Sequence, residues 1–197
     1  MAKLLYQGHG SYRITADNGI VIYVDPFAGE GYDIPADIVL ITHEHKDHNN
    51  LELITQKDHC TVLRSSDMLI VGHYEKKIIS GITIEAVPAY NKNHDRASCV
   101  GYVISIDGIK VYGAGDTSLT EYMALMLSLE EIDYALLPID GVYNMDIPEA
   151  ERCAEVINAK HTIPIHMKPG ELFDKERADS FKGKNKLVVE PGEELNL

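Results

Sequence analysis

Four side chains that commonly bind metal ions crowd into one short stretch, THEHKDH at residues 42–48. They are His43, His45, Asp47 and His48, and three of the nine histidines of the chain lie among them. Imidazole and carboxylate groups together suit Zn, Mn or Fe, and no cysteine is placed to join them. In an extended loop, residues two apart point the same way, so His43 and His45 can share one metal. Asp47 and His48 then reach a second metal.

Three further candidates follow predicted strands. They are His94 in AYNKNH, Asp116 in GAGDT and His166 in IPIH. Taken singly, each has an ordinary explanation as a surface, turn or packing residue. Together with the 42–48 stretch they predict a site for two metal ions roughly 3.5–4 Å apart, in which Asp116 bridges the ions. The remaining histidines are read as surface or packing residues: His59, His73 and His161.

The predicted elements place this stretch at a strand end. Residues 36–42, ADIVLIT, form an apolar run typical of a strand buried on both faces. Further strands are predicted at 3–7, 11–16, 20–25, 61–65, 68–72, 82–90, 98–107, 109–116, 133–139, 161–166 and 186–190. Helices are predicted at 49–56, 119–129, 146–159 and 175–181; the third has Asp146 as a cap and Pro148 in its first turn. This order indicates two packed sheets with helices outside, an α+β layered sandwich.

Length and composition are those of one globular domain spanning residues 1–197. The chain is 45% hydrophobic and 25% charged, which is ordinary for a globular protein. Its three cysteines are widely separated in the sequence and suggest no disulfide framework, so a reducing compartment is expected. The first residues do not resemble a signal peptide, and no apolar run approaches membrane-spanning length. A cytoplasmic location is predicted.

The formal net charge of −13 bears on the partners. Nucleic-acid binding depends on Lys and Arg that meet phosphates, and no basic stripe is visible in the sequence. We therefore expect a small-molecule substrate, no nucleic-acid partner and no membrane partner. The sequence leaves the oligomeric state open.

The motifs THEHKDH, GAGDT and IPIH, with the opening GHGSYRI…IYVDPF, resemble the metallo-β-lactamase superfamily. The resemblance covers essentially the whole chain and implies a four-layer αββα sandwich with metals at the edge of the two sheets. Within the superfamily, GHGS and PID…YNMDIPEA look like compact metal-dependent hydrolases related to L-ascorbate-6-phosphate lactonase and to the N-acylphosphatidylethanolamine phospholipases.

The resemblance also implies roles for individual residues. His43 and His45 would bind the first metal, Asp116 would bridge, and the second metal would take the remaining ligands: Asp47, His48 and His166. Asp25 in VDP resembles an aspartate that orients a ligand histidine; its alternative is a strand-end turn residue. His9 in GHGS would lie near the mouth of the site and contact substrate; its alternative is a hairpin-turn residue.

One departure from the family pattern concerns the third ligand of the first metal. The superfamily usually has a histidine directly after the strand that ITIEAVPA resembles, whereas this chain has Tyr90 or Asn91 there and a histidine only at His94. We expect His94 to complete the site from a longer loop. The alternative is Asn91, whose carbonyl oxygen is a poor ligand for Zn and would leave a weaker first site.

The function predicted from these residues is metal-dependent hydrolysis. A hydroxide bridging two divalent metal ions, Zn first with Mn or Fe as alternatives, would attack an ester, lactone or phosphodiester of a small molecule. Asp47 is the predicted catalytic residue, which orients the hydroxide and passes a proton to the leaving group. Two alternatives stay open: an iron-dependent redox or oxygen-handling protein of the same superfamily, and a metal-binding protein with an incomplete site.

Overall fold

Two six-stranded sheets pack face to face in a computed structural model that describes all 197 residues. The first sheet contains β1 (Lys3–Gly8), β2 (Ser11–Thr15), β3 (Val21–Val24), β4 (Ala36–Leu40), β5 (Gln56–Leu63) and β14 (Glu194–Asn196). Their spatial order is β14-β1-β2-β3-β4-β5. β3, β4 and β5 run parallel, and the other pairs are antiparallel, so the sheet is mixed.

The second sheet is also mixed. It contains β8 (Lys76–Ile79), β9 (Ile82–Pro88), β10 (Val100–Ile106), β11 (Ile109–Gly113), β12 (Tyr134–Pro138) and β13 (His161–Ile165). The spatial order is β13-β12-β11-β10-β9-β8, with β11, β12 and β13 parallel. A separate small hairpin consists of β6 (Leu69–Ile70) and β7 (His73–Tyr74) and follows the short helix α1 (Ser65–Met68).

The main core lies between the two sheets. Leu4, Ile14 and Ile38 from the first sheet meet Tyr102 and Ile104 from the second, and all five are fully buried. Burial of apolar surface contributes roughly 25 cal/mol per Å², so this interface is the principal stabilising contact of the fold.

The outer faces of the sheets are covered unequally. The second sheet carries α2 (Glu121–Leu125), α3 (Ile147–Ile157) and α4 (Lys175–Ser180). α3 buries residues at helical spacing, with Ala150, Cys153, Ala154 and Ile157 against the sheet. The first sheet is covered by the segment containing Tyr32 and Ile34 and by a single 3₁₀ turn at Leu51–Leu53. The predicted αββα sandwich is confirmed, with one outer layer reduced to a turn and a loop. None of the helices has the length and hydrophobicity needed to cross a bilayer.

Most predicted elements are confirmed, and the exceptions have physical causes. The helix predicted at 49–56 is wrong beyond the one 3₁₀ turn, because pairing with β4 already begins at Gln56. The strand predicted at 68–72 is only the two-residue β6. The strand predicted at 186–190 is wrong, because the segment pairs with β13 only through a single bridge at Lys186. Its apolar residues are explained by the burial of Val189, which needs no strand pairing. The sequence patterns predict none of three observed strands, β7, β8 and the last strand β14.

Candidate metal centre

The predicted ligands converge because several strands end at one edge of the sandwich. β4 leads into His43–His48, β11 leads to Asp116, and β13 leads to His166. Parallel strands bring their carboxyl ends to the same edge, which is where sites form in layered α/β proteins. The loop after β9 carries His94 to this edge.

Asp116 lies at the centre of the cluster and is buried. Its Oδ2 is 3.2 Å from His94 Nε2 and 3.5 Å from His166 Nε2. Its Oδ1 is 3.4 Å from His48 Nε2. One carboxylate therefore faces histidines from three different loops, as expected of a group that bridges two ions.

The other ligands form two groups on either side of Asp116. The first group is His43, His45 and His94, whose ligand atoms all lie within 4.8 Å of one another. The second group is Asp47, His48 and His166, and the same distance limit includes His9. Every residue predicted as a metal ligand is thus brought to the centre, in the two sets expected from the sequence.

In the second group, carboxylates hold the outer nitrogens of the histidines. His48 Nδ1 donates to Asp25 Oδ2 at 2.8 Å. His166 Nδ1 lies 3.0 Å from Asp140 Oδ2, although it counts among the buried atoms without a well-directed hydrogen bond. A carboxylate can only accept, so both rings carry a proton on Nδ1, and Nε2, the nitrogen that is left for a metal, points toward the centre.

In the first group, neutral side chains hold the outer nitrogens of two histidines. Thr42 Oγ1 donates to Asp25 Oδ2 at 2.6 Å, and its oxygen therefore accepts from His43 Nδ1 at 2.9 Å. His94 Nδ1 lies 3.0 Å from Asn91 Oδ1, which is an acceptor. His45, which is exposed, has Nδ1 3.0 Å from His43 Nε2.

These outer partners leave several acceptors facing one another across a buried space. His48 Nε2, His166 Nε2 and Asp116 Oδ1 are buried and make no hydrogen bond. Buried polar atoms almost always have partners, and lone pairs that face each other repel unless a cation lies between them. Imidazole nitrogens and carboxylate oxygens are ligands for Zn, Mn and Fe. The residues present fit divalent metal ions.

Burial and charge set the protonation of the cluster. Burial and the neighbouring His48 lower the pKa of His43 to about 2, so its ring is neutral at pH 7. Burial opposes ionisation of Asp116, but His48 and His166 outweigh it and hold its pKa well below the usual value. Burial likewise opposes the charge on His48, yet Asp116 and Asp25 raise its pKa to about 9. Without a metal, a proton on His48 balances part of the carboxylate charge.

Three residues of the site adopt left-handed backbone conformations. The φ angles are 55° at His9, 47° at Asp25 and 43° at His166. Residues other than glycine seldom adopt positive φ, and such positions often occur at functional sites. Asp25 and His166 each lie one residue beyond a strand. The left-handed conformation turns the backbone away from the strand direction at the point where it reaches the cluster.

His9 differs from the expectation. It is completely buried, its Nε2 is 3.1 Å from Asp47 Oδ2, and its Nδ1 is 3.0 Å from the carbonyl oxygen of Glu171. It therefore supports Asp47 from within the protein and does not lie at the mouth, because the segment containing Glu171 covers it. The hairpin-turn interpretation describes its backbone position between β1 and β2.

The structure also bears on the choice between His94 and Asn91. His94 Nε2 points into the cluster toward Asp116, whereas the side chain of Asn91 lies behind the ring of His94. His94 thus has the position of a ligand and Asn91 that of its support. His59, His73 and His161 lie outside both groups of potential metal ligands.

Sequence reasoning missed Asp140 and Thr42. Asp140 directly follows β12 and its continuation at Ile139, so it carries the same signal as the ligands: a polar residue after a buried strand. Burial opposes its ionisation, but His166 and backbone amides lower the pKa of Asp140 to about 2. Thr42 had no distinguishing signal, because threonine at a strand end is common.

Two openings adjoin the cluster. A groove of about 530 Å³ reaches the first group and is lined on its other sides by Glu44, Ser65, Ser66, Leu69, Asp95 and Ser98, among others. A second space of about 350 Å³ lies over Asp47 and Asp116 and is bordered by Asn93 and Tyr143. Small-molecule sites commonly have volumes of about 300–1,000 Å³.

Comparison with known proteins agrees with this geometry. The sequence model of the β-lactamase superfamily domain matches residues 3–166. A metal-dependent hydrolase from Thermococcus kodakarensis is 31% identical over an alignment of 226 positions, gaps included, that covers 100% of both chains. A structure from Parabacteroides distasonis, which also bears the name of a metal-dependent hydrolase, superposes with a TM-score of 0.75 at 34% identity, over 94% of this chain and 91% of that one.

The fold is also shared with a more distant protein. CmlA, a diiron β-hydroxylase from Streptomyces venezuelae, superposes with a TM-score of 0.73 at 16% identity, over 100% of this chain and 54% of CmlA. At this identity the likeness is one of fold alone. The family model and the full-length relatives together confirm the family that the motifs suggest: the chain belongs to the metallo-β-lactamase superfamily.

Proposed function

We propose that this protein is a hydrolase that uses two divalent metal ions, with Zn as the expected metal, to cleave an ester, lactone or phosphodiester of a small molecule. The observation that carries the proposal is the convergence of unpartnered nitrogen and oxygen atoms of His48, His166 and Asp116 in a buried space. The names of the full-length relatives support metal-dependent hydrolysis as the reaction class.

The two groups of candidate ligands support a division of the residues between the ions. His43, His45 and His94 would hold one ion, and Asp47, His48 and His166 would hold the other. Asp116 would contribute to both sites. Divalent ions in such a site lower the pKa of water from about 15.7 toward about 7 and stabilise negative charge that develops on a carbonyl or phosphoryl oxygen.

Asp47 is the residue placed for proton transfer. Its side chain borders the opening and is 34% exposed, whereas Asp116, which borders the same opening, is buried. Burial would raise its pKa, but the hydrogen bond from His9 and the charge of His48 lower it, so the carboxylate is ionised at pH 7. His9 fixes Oδ2, and Oδ1 is available to accept a proton and return it to a leaving group.

The openings support a small substrate. Their volumes suit a small molecule, and no inserted domain extends over them. Arg64, a cation near the groove, is already paired with Glu44 at 2.6 Å. Together with the net charge of −13, this disfavours a large polyanion as substrate.

Metal analysis of the purified chain tests the proposal directly. Protein prepared without added metal or chelator should contain about two Zn or Mn per chain, the content of a two-metal site. The variant His45→Ala should lose metal and lose hydrolysis of lactones, phosphodiesters and thioesters. Because His45 is exposed, its truncation should leave thermal unfolding of the metal-free chain unchanged.

His73→Ala is the matched control, since His73 is exposed and lies outside the ligand groups. It should retain both metals and full activity. Full metal retention in His45→Ala would overturn the ligand assignment. A wild-type chain that contains mostly iron and hydrolyses none of the substrates would instead favour the redox alternative.

A further inference from the structure

Asn91 connects two loops that belong to different halves of the metal centre. Its Oδ1 faces His94 Nδ1 at 3.0 Å. Its Nδ2 donates to the carbonyl oxygen of Tyr143 at 2.9 Å and to Asn144 Oδ1 at 3.2 Å. One amide side chain thus holds a histidine of the first group and the loop that follows β12.

The orientation of this amide is fixed by its partners. The backbone N–H of Asn93 can only donate, and it donates to Asn91 Oδ1 at 2.7 Å. The carbonyl of Tyr143 can only accept, so the nitrogen of Asn91 must face it. Nitrogen and oxygen of the amide are therefore distinguishable here from the hydrogen bonds alone. It follows that His94 donates to Oδ1 and keeps its Nε2 lone pair for the metal centre.

The contacts continue from Asn144 to the second group. Asn144 Nδ2 donates to Asp140 Oδ2 at 2.8 Å. The same oxygen lies 3.0 Å from His166 Nδ1, and Asp140 Oδ1 accepts from the backbone amide of Tyr143 at 2.7 Å. A path of close polar contacts therefore runs from His94 to His166 behind the cluster, in addition to the direct path through Asp116; its steps are hydrogen bonds up to Asp140, and the last is the 3.0 Å separation from His166 Nδ1.

We propose that Asn91 is a positioning residue that, through Asn144 and Asp140, couples the two metal sites, so that occupancy of one favours binding at the other. This inference rests on the proposed two-metal function. His166, when it binds a metal, would be held in place against Asp140. Asp140 already anchors the 140–144 loop, and the loop holds Asn91 where its oxygen orients His94. Polar groups inside proteins strengthen one another when they form connected networks.

Titration of the metal-depleted chain with Co²⁺, followed by visible absorption and by chelator competition, measures the two affinities separately. Loss of a residue that supports a ligand commonly lowers metal affinity about 10- to 100-fold. We expect a loss of this size at the first site in Asn91→Ala. Asn144→Ala should lower the same affinity although Asn144 touches neither histidine.

Asn93→Ala is the matched control for these variants. Asn93 Nδ2 donates to the same carbonyl of Tyr143 at 2.9 Å, but its side chain reaches no ligand. Both Co²⁺ affinities should stay close to those of wild type. A loss in Asn93→Ala equal to that in Asn91→Ala would overturn the proposal, because general anchoring of the loop would then explain the effect.

A double-mutant cycle tests the coupling itself. His166→Ala should weaken Co²⁺ binding at the first site in the wild-type background. It should weaken that binding by a smaller factor when Asn144→Ala is already present, since the connecting path is gone. Asp140→Asn replaces His166→Ala if the latter does not fold. Equal factors in both backgrounds would overturn the coupling.

Failure of the coupling proposal can be distinguished from failure of the proposed two-metal function. A wild-type chain that binds no Co²⁺ or Zn²⁺ at either site overturns both. A wild-type chain that binds two ions, with Asn91→Ala and Asn144→Ala binding them equally well, overturns the coupling alone. Asn91→Asp provides a rescue test: it keeps an acceptor for His94 but loses the donor to the loop, so it should recover only part of the first-site affinity lost in Asn91→Ala and should not restore the coupling.

Discussion

The two halves of the metal centre support their histidines by different means. In the first group, His43 rests on the hydroxyl of Thr42 and His94 on the amide of Asn91, and His45 is exposed. In the second group, His48 rests on Asp25 and His166 on Asp140, and both rings are buried. One half has neutral supports and reaches the 530 Å³ groove through the exposed His45. The other half has charged supports and reaches the 350 Å³ space through the half-buried Asp47.

This difference has consequences for metal binding. A carboxylate behind an imidazole makes the ring more basic and fixes its direction, whereas a hydroxyl or an amide does so less strongly. We therefore expect the second group to bind its ion more tightly and to release it more slowly. The first group lines the larger groove, so its ion is the more exposed to substrate and to chelators.

The largest expected effect is that of removing the carboxylate common to both halves. Asp116 contacts His94, His48 and His166, so Asp116→Ala should weaken both sites by more than the roughly 100-fold that loss of a supporting residue causes. Elemental analysis should find less than one metal per chain, and hydrolysis should fall to background. Retention of one tightly held metal would show that one half functions without Asp116.

A second prediction concerns pH and separates the two halves. Because the pKa of His48 in the metal-free protein is about 9, a metal that binds at lower pH must displace a proton. Apparent affinity of the second group should therefore rise about tenfold per pH unit up to about pH 9 and level off above it. His43, whose pKa is about 2, adds no such dependence near neutral pH.

Chelator competition at several pH values between about 6.5 and 9.5 measures this slope, because metal binding to protonated ligands releases protons. Calorimetry in buffers of different ionisation enthalpy counts the protons released. A second-group affinity that is independent of pH across this range would contradict the protonation of His48, and with it the balance of charge between His48 and Asp116.

Sequence reasoning found the residues that converge in the cluster because the signal for each is local. His43, His45, Asp47 and His48 lie together after a buried strand, and Asp116 and His166 also follow strands. A strand end fixes where a side chain emerges, and parallel strands bring such ends together. Most strands were predicted for a similar reason, since apolar runs and turn residues are read over short windows.

The supports were harder to predict because they depend on contacts between distant loops. Asn91 acts on His94 only because the 141–144 loop packs against it, fifty residues further along the chain. His9 is buried because the segment around Glu171 covers it, which no pattern near His9 indicates. The wrongly predicted strand at 186–190 has the same origin. An alternating apolar pattern indicates which residues are buried, but it does not indicate whether another strand lies alongside to form hydrogen bonds.

The smallest expected effects come from exchanging the supports one at a time, and these test the contrast between charged and neutral supports. Asp25→Asn keeps the shape of the side chain but places an N–H₂ group or an uncharged oxygen beside His48 Nδ1. The second-group affinity should fall about 10- to 100-fold. Thr42→Val keeps the shape of Thr42 but leaves His43 Nδ1 without its acceptor. The first-group affinity should fall by about tenfold or less, because a hydrogen bond between neutral groups is roughly half as strong as a charge-assisted one.

Thr42 also donates to Asp25, so Thr42→Val should slightly weaken the second group too, whereas Asp25→Asn should affect the second group far more than the first. Co²⁺ titration of both variants, with metal-free thermal unfolding as the control for folding, gives the two affinities in each. If Thr42→Val weakens the first group as strongly as Asp25→Asn weakens the second, charged and neutral supports are equivalent here. The greater exposure of His45 would then be the only remaining reason for the first ion to be the more labile.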